Sequence, residues 1–373
     1  MGDICKINGA EIEPVWCITG GSPCQDLSIA GKRAGLAGAR SGLFMEQVRI
    51  VKEMREADKR NGRTGDMVSP RYLVWENVVG AFSSNKGKDF AAVLEEIIKI
   101  VEPEAPGIEV PEKGWPTWGG YHDEVGGRWS VVWRTHDAQY WGVPQRRRRI
   151  SVVADFGGDT ASEIQFDRKS VSGDITASGA AGEGPAEAAE SGFNPAVATL
   201  NTMHDAQAVM CADVSQALRA KATCAYREDA ETYPVQNMVV RRLTPLECER
   251  LQGFPDGWTD IGDYTDSAGK KRKTSDSARY KALGNSIALP FWRWMLSRMA
   301  AYLPEGATLG SLFDGISGFN VCWARIHGAE CCRWSSEIEQ FPIAVTKKHF
   351  GDEEVGKEGD FEKFFGRNKK ENV

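Results

Sequence analysis

The chain has 373 residues, 41% of them hydrophobic and 26% charged, with a formal net charge of −6. That length suits one large catalytic domain plus a smaller module, and the composition excludes a collagenous, disordered or disulfide-stapled chain. No apolar run reaches the roughly 20 residues of a membrane span, and Met1-Gly2-Asp3-Ile4-Cys5 lacks the basic and apolar parts of a secretion signal, so a cytoplasmic protein with no membrane partner is expected.

In chain order, residues 14–20 read as a buried strand running into a glycine turn, followed by Gly21-Ser22-Pro23-Cys24-Gln25 and a glycine-punctuated loop to Gly42. Leu43, Val48, Ile50, Val51 and Met54 carry helical periodicity over 43–58. Tyr72 to Trp75 is an apolar strand ending at Glu76-Asn77, residues 89–101 are helical, and Trp129–Trp133 and Ile150–Ala154 are strands. Strands alternating with helices predict a mostly parallel sheet covered by helices. The pattern breaks near 155: residues 157–195 are rich in Gly, Ala, Ser and Glu, and 196–240 offer only short strand-like pieces. Order returns at Leu243, where Thr244 can cap a helix with Pro245 in its first position. Residues 262–278 read as a polar loop and 286–302 as a helix. After the linker Leu303 to Thr308, a strand ends in Phe313-Asp314-Gly315-Ile316-Ser317-Gly318-Phe319, a second strand covers Glu330 to Ser335, and the last 20 residues are charged enough to fray.

The nine cysteines form no Cys-x-x-Cys pair and there are five histidines, so zinc spacing is absent and reduced thiols without a metal are expected. The negative total weighs only bluntly against a nucleic-acid partner, because phosphate contacts need a local basic surface; Lys32-Arg33, Arg146–Arg149, Arg241-Arg242 and Lys270–Lys273 are such clusters. Cys24 follows a strand end and precedes a loop bearing Lys32, Arg33 and Arg40, whose charges favour a thiolate and can meet phosphates; a buried structural cysteine is the alternative. Glu76 at another strand end is either an acid or hydrogen-bond acceptor for a ligand, or a structural ion-pair partner. The glycine-rich turn at 314–319 leads into a helix, and Glu337 follows the next strand, an arrangement that suits a nucleoside cofactor with its ribose on the carboxylate. The arginine run before Ile150 is either a solvated face or a phosphate or base contact.

Taken together these segments resemble the DNA cytosine-5 methyltransferases. Gly-Ser-Pro-Cys24-Gln is similar to their Pro-Cys motif, Glu76-Asn77-Val78 to Glu-Asn-Val, and Gln145 to Arg149 to Gln-Arg-x-Arg-x. Arg242 to Pro255 resembles the motif that re-enters the catalytic domain, Gly284-Asn285-Ser286 the Gly-Asn-Ser motif, and Phe313 to Phe319 the cofactor loop. The set covers nearly the whole chain, but the order is permuted: the cofactor loop and Glu337 come last, with the seam just before Gly2-Asp3-Ile4. Gly359-Asp360-Phe361 rivals Asp3 for the motif that meets the adenine; Asp3 is preferred because it leads directly into Cys24.

The resemblance implies a Rossmann-like α/β methyltransferase with a mostly parallel sheet, residues 1–154 and 241–373 forming the catalytic domain around a small irregular target-recognition domain at 155–240. It implies S-adenosylmethionine as cofactor, lined by Asp3, Ile4, Leu43, Asn285, Ser286, Phe313, Asp314, Gly315, Ile316, Gly318, Phe319, Glu337 and Ile338. Cys24 would be the nucleophile, with Glu76 and Arg149 as its catalytic partners. Double-stranded DNA would meet Gln25, Ser28, Lys32, Arg33, Arg40, Arg147, Arg219 and Arg227, with Gln216 and Asn237 as further readers. A cognate restriction endonuclease is a candidate partner and a monomer the simplest state. The competing readings are a tRNA cytosine methyltransferase and a DNA-binding protein that has lost catalysis.

Overall fold

The computed structural model describes residues 2–23, 42–124, 126–166 and 242–351, and the backbone of 215–216, 235–236 and 239–240. Seven strands form the central sheet: β1 (Cys17–Gly20), β2 (Tyr72–Val78), β3 (Trp118–His122), β4 (Ser130–Asp137), β5 (Arg148–Asp155), β6 (Leu309–Leu312) and β7 (Cys332–Ser336). Their order is β7-β6-β1-β2-β5-β4-β3. The first four pair in parallel, whereas β5 runs antiparallel to both β2 and β4, and β3 is antiparallel to β4. Five of the seven strands therefore point one way.

Side chains alternate across this sheet as strand geometry requires. On β2, Leu73 and Trp75 face one core and Tyr72 and Val74 the other. The first core is closed by α1 (Gly42–Arg60) and α2 (Lys88–Ile98). In α1 the buried Phe44, Val48, Val51 and Met54 recur at helical spacing, so one stripe meets the sheet. The second core is closed by α3 (Ala161–Gln165), α4 (Pro245–Gln252), α5 (Asp276–Asn285), α6 (Leu289–Ala300), α7 (Gly318–His327) and α8 (Gln340–Phe350). It holds Phe291, Trp292, Met295, Val321 and Trp323. The result is a three-layer α/β/α domain, the expected class.

Three segments differ from expectation. Residues 156–166, expected beyond a boundary at 155, pack on the sheet: Ala161, Ile164 and Gln165 are buried, and Gln165 donates to the carbonyls of Val132 and Ser151. Residues 262–278 are not a plain loop. Tyr264–Thr265 pairs antiparallel with Lys271–Arg272, and α5 starts at Asp276 behind its Ser275 cap. Strand β3 leaves no clear strand pattern in the sequence, because none of its residues is fully buried and its less exposed positions are Gly119, packed under Trp133, and Tyr121. The expected fraying of the last 20 residues lies outside the described residues, as does 167–195, read as loop.

The permuted connection is short. From the end of α6 the chain turns through Pro304, Glu305 and Gly306, and Ala307 N–H closes the turn on Pro304 at 3.1 Å. It enters β6 beside β1, whose Cys17 pairs with Leu309.

Candidate active site

Parallel strands deliver their C-terminal ends to one edge of the sheet, where ligands of open α/β folds bind. Here that edge carries the ends of β1, β2, β6 and β7. A cleft between them is lined by Gly21, Glu76, Asn285, Ser286, Ile287, Phe313, Asp314, Gly315, Gly318 and Phe319.

Glu76 is the fifth residue of β2 and Arg149 the second of β5. Antiparallel register sets Val78 opposite Arg149 and Glu76 opposite Ser151, so Glu76 and Arg149 are diagonal neighbours on one face. Arg149 Nε lies 2.9 Å from Glu76 Oε1, both side chains mostly but not fully covered. A Cβ on Gly21 would come within 2.8 Å of Glu76 Oε2, so only glycine lets β1 pass this close to the carboxylate.

The segment leading to Cys24 is held from β2. Trp75 Nε1 donates to Ser22 Oγ at 3.1 Å, and Asn77 Nδ2 donates to the Ser22 carbonyl at 3.2 Å. Ser22 is thus anchored two residues before Cys24. Cys24 itself, with Gln25, Ser28, Lys32, Arg33 and Arg40, lies outside the described residues. So do Arg219, Arg227, Asn237 and Asp360, and the side chain of Gln216.

Arg147 departs from the DNA-contacting role expected of it. It is buried, and its guanidinium donates to the carbonyls of Gly284 (3.1 Å) and Ser286, while its own N–H reaches Asp137. Burial, with the Arg149 charge behind it, pushes its pKa down. It is a strut under the Gly-Asn-Ser segment rather than a contact for DNA. Strand alternation hides this in sequence: in a run of four arginines, 147 and 149 turn inward while 146 and 148 are exposed. Held on both sides by Arg147, Asn285 projects its exposed side chain into the cleft.

The loop from β6 to α7 is bent tightly. Phe313, Gly315 and Ser317 all have left-handed backbone, with φ of 54°, 57° and 66°. The bends bring the loop's N–H groups to partners within the protein: Asp314 N–H donates to Ser336 O and Ser317 N–H to Asp314 O, both at 3.1 Å. Gly315 N–H donates to Glu337 Oε2 at 2.8 Å, and Glu337 Oε1 accepts from Ile338 and Glu339 N–H. Asp314 anchors the loop, accepting from Ser317 Oγ (2.8 Å), Asn320 Nδ2 (3.3 Å) and Thr346 Oγ1 (3.4 Å). Burial pushes its carboxyl up to about 6, against the pull of the Ser317 and Thr346 hydroxyls. A Cβ on Gly318 would meet Ile287 at 2.7 Å, which welds α7 to the segment after Asn285.

Phe313, Asp314, Gly315, Gly318, Phe319, Asn285 and Ser286 thus line one cleft with Glu76. Ile316 is a correction: its side chain is fully buried in the helical core and its carbonyl accepts from Trp258 Nε1 at 3.0 Å. Ile338 is 68% exposed just beyond Glu337. Leu43 is partly buried against the first core. The Gly2 carbonyl accepts from Ser336 Oγ at 2.7 Å, so Asp3 is carried to the end of β7, beside Glu337, where its carboxylate caps the short turn Ile4–Lys6. Ile4 is buried beneath it. Among the described residues, no three His, Cys, Asp or Glu side chains gather as a metal site.

The C-5 cytosine-specific DNA methylase family matches residues 1–100 and 181–300. The chain belongs to that family, whose methyl donor is S-adenosylmethionine. It is 28% identical to a DNA N-6-adenine-methyltransferase of Escherichia phage P1, across 80% of this chain and 55% of that protein. It is 23% identical to the Type II methyltransferase M2.BsuMI of Bacillus subtilis (strain 168), across 89% and 73% respectively. The chain therefore spans about half the length of the phage P1 relative. Among solved structures, the S. pombe Dnmt2 methyltransferase aligns with a TM-score of 0.44 at 14% identity, over 80% of this chain and 83% of that one.

Proposed function

We propose that the chain transfers a methyl group from S-adenosylmethionine to C5 of cytosine in a short double-stranded DNA sequence, with Cys24 as nucleophile. The observation that carries this reading is the Glu76–Arg149 pair, whose Glu76 lines the cleft one strand away from Ser22, which is anchored two residues before Cys24 in the sequence.

The chemistry of the residues around the cleft suits the donor. The tightly bent loop 313–317 and Asn285 would take its amino acid part, the carboxylate of Glu337 its ribose hydroxyls, and Asp3 its adenine. When bound it supplies an electrophilic methyl group. Cytosine C5 is too weak a nucleophile to take that methyl group unaided, and inside a duplex it is out of reach, so the base must be flipped into the cleft. The Cys24 thiolate adds to C6, raising electron density at C5. Glu76 holds the ring N3 and exocyclic amine, offsetting charge as the sulfur attacks, and Arg149 keeps Glu76 in place. C5 takes the methyl group as the sulfonium S–CH₃ bond breaks and a neutral thioether leaves; the C5 proton then passes to solvent and the C6–S bond cleaves, returning its electron pair to Cys24. The segment expected at 155–240 would read the sequence, and a cognate restriction endonuclease is the candidate companion. Such work belongs in the cytoplasm of a bacterium or a phage-infected cell.

The phage P1 relative's name specifies adenine N6, a second reading. Amine methylation uses the nitrogen lone pair and needs no thiol, so the Pro-Cys24 motif favours cytosine. The test is incubation with S-adenosylmethionine and unmethylated genomic DNA, followed by base-resolution mapping. 5-Methylcytosine in one short recurring context is expected. N6-methyladenine would overturn the cytosine reading. Unmodified DNA, with transfer to tRNA instead, would overturn the DNA reading. Cys24→Ser should abolish transfer and the covalent adduct with a 5-fluorocytosine duplex while donor binding persists.

A further inference from the structure

The hairpin between α4 and α5 belongs to none of the catalytic parts. Its turn is internally built: Asp266 N–H donates to Lys270 O, Gly269 N–H to Asp266 O, and the Asp266 carboxylate accepts from Ala268 N–H, Lys270 N–H and Arg272 Nε. The acidic charge is thereby turned inward. Lys270, Lys271 and Lys273 are exposed, and no described carboxylate lies within ion-pairing distance of any of them. Some exposed cations on this chain are paired, such as Arg128 with Asp123, Arg250 with Asp256 and Lys281 with Glu339, while others, such as Lys59 and Arg148, stand alone among the described residues. What sets the hairpin apart is density: three exposed lysines fall within four residues of one hydrogen-bonded turn, in a chain of net charge −6.

The hairpin is also fixed in place. Ser267 N–H donates to Gln340 Oε1 at 2.7 Å, and the Tyr264 ring meets Phe341 edge-on. Gln340 opens α8, three residues after Glu337 at the C-terminal end of β7. Lys281 on α5 reaches Glu339 in the same connection. The hairpin that carries the lysines is therefore anchored to the connection that leaves the C-terminal end of β7, the edge of the sheet at which the cleft opens.

We propose that this hairpin is a second DNA-contacting surface, in which Lys270, Lys271 and Lys273 bind backbone phosphates outside the target-recognition segment. The surface reads no bases; it adds sequence-independent affinity and helps orient the duplex over the cleft. The proposal rests on the DNA-methyltransferase reading above.

The test compares the full chain with the triple variant K270A/K271A/K273A. Binding to a short mixed-sequence duplex is measured across a salt titration, and S-adenosylmethionine affinity in parallel. Every phosphate left unneutralised should flatten the slope of log K against log salt by about 0.9, so a decrease of roughly 2 to 3 is expected. Donor affinity and the methylated context should be unchanged. A control variant, K59A/R60A, removes exposed charges at the far end of α1 and should leave the slope near that of the unmodified chain. An unaltered slope in the triple variant overturns the proposal, as does an equal flattening in the control. A change confined to donor affinity also overturns it, assigning the lysines to the mouth of the cofactor cleft. If the unmodified chain shows no salt-dependent DNA binding, the functional reading falls with it.

Discussion

At the scale of single residues, the site depends on carboxylates and guanidiniums given different tasks by burial. Glu76 and Arg149 keep partial exposure at the cleft, as the proposed contact with the base requires. Glu76→Gln keeps the shape but weakens the ion pair and the hold on the base. Methyl transfer is expected to fall by about a hundredfold or more, with DNA and donor affinity changed only slightly; single-turnover kinetics and equilibrium binding separate the two. Arg147, two residues earlier, faces inward to two carbonyls. Arg147→Met leaves those carbonyls unsatisfied at about 1–3 kcal/mol each, so both stability and donor affinity should drop, while Arg148→Met, on the exposed side, should alter neither. Asp314 supplies a pH signature. Its folded pKa of about 6 stands above the ordinary carboxyl value of 3.8, so ionisation is disfavoured in the fold. Its contribution to stability is most favourable below about pH 4 and declines as pH rises to about 6. Asp314→Asn removes that decline. The melting temperature of the unmodified chain should therefore fall relative to the variant across this window; parallel curves would refute the assignment.

At the scale of elements, α4 shows how local capping supports a distant site. Thr244 Oγ1 accepts from Glu247 N–H, and the Glu247 carboxylate accepts from Thr244 N–H in return. The helix so started carries Glu249, fully buried, which accepts from Gly257 N–H, Thr259 N–H and Arg279. It also carries Gln252, which donates to Leu283 O at the base of the Gly-Asn-Ser segment. Thr244→Ala should cost about 1 kcal/mol in denaturant unfolding and leave donor affinity unchanged. Glu249→Ala leaves part-buried Arg279 with only Thr259 and the exposed Asp276 and strands the N–H groups of Gly257 and Thr259, so a loss of about 3 kcal/mol is expected, read by the same unfolding experiment.

At the scale of the molecule, the permuted order costs the fold little. Strand order in the sheet is set by which strands pair, not by which is made first, and a turn at 304–306 suffices to lead α6 into β6. Glu305 and Gly306 are exposed. Inserting four glycine or serine residues between them should lower stability by less than about 1 kcal/mol and leave methyl transfer intact. A collapse of activity would show that the linker positions the cofactor loop.

The sequence by itself determined the motifs, their permuted order and the elements with strong periodicity, because α1, β2 and β5 bury continuous stripes that leave a clear pattern in the chain. It also marked Glu76, Arg149, Asn285 and the 313–319 loop, which the fold brings together at one cleft. Only the tertiary structure decided which arginines of the 146–149 run face inward, that Ile316 belongs to the core, that Asp314 anchors its loop from Thr346, and that 156–166 packs on the sheet. It also turned a polar stretch at 262–278 into a braced hairpin. The physical reason is common to all of these: they depend on partners far along the chain, and burial, register and hydrogen bonding across the sheet assign roles that neighbouring residues cannot reveal.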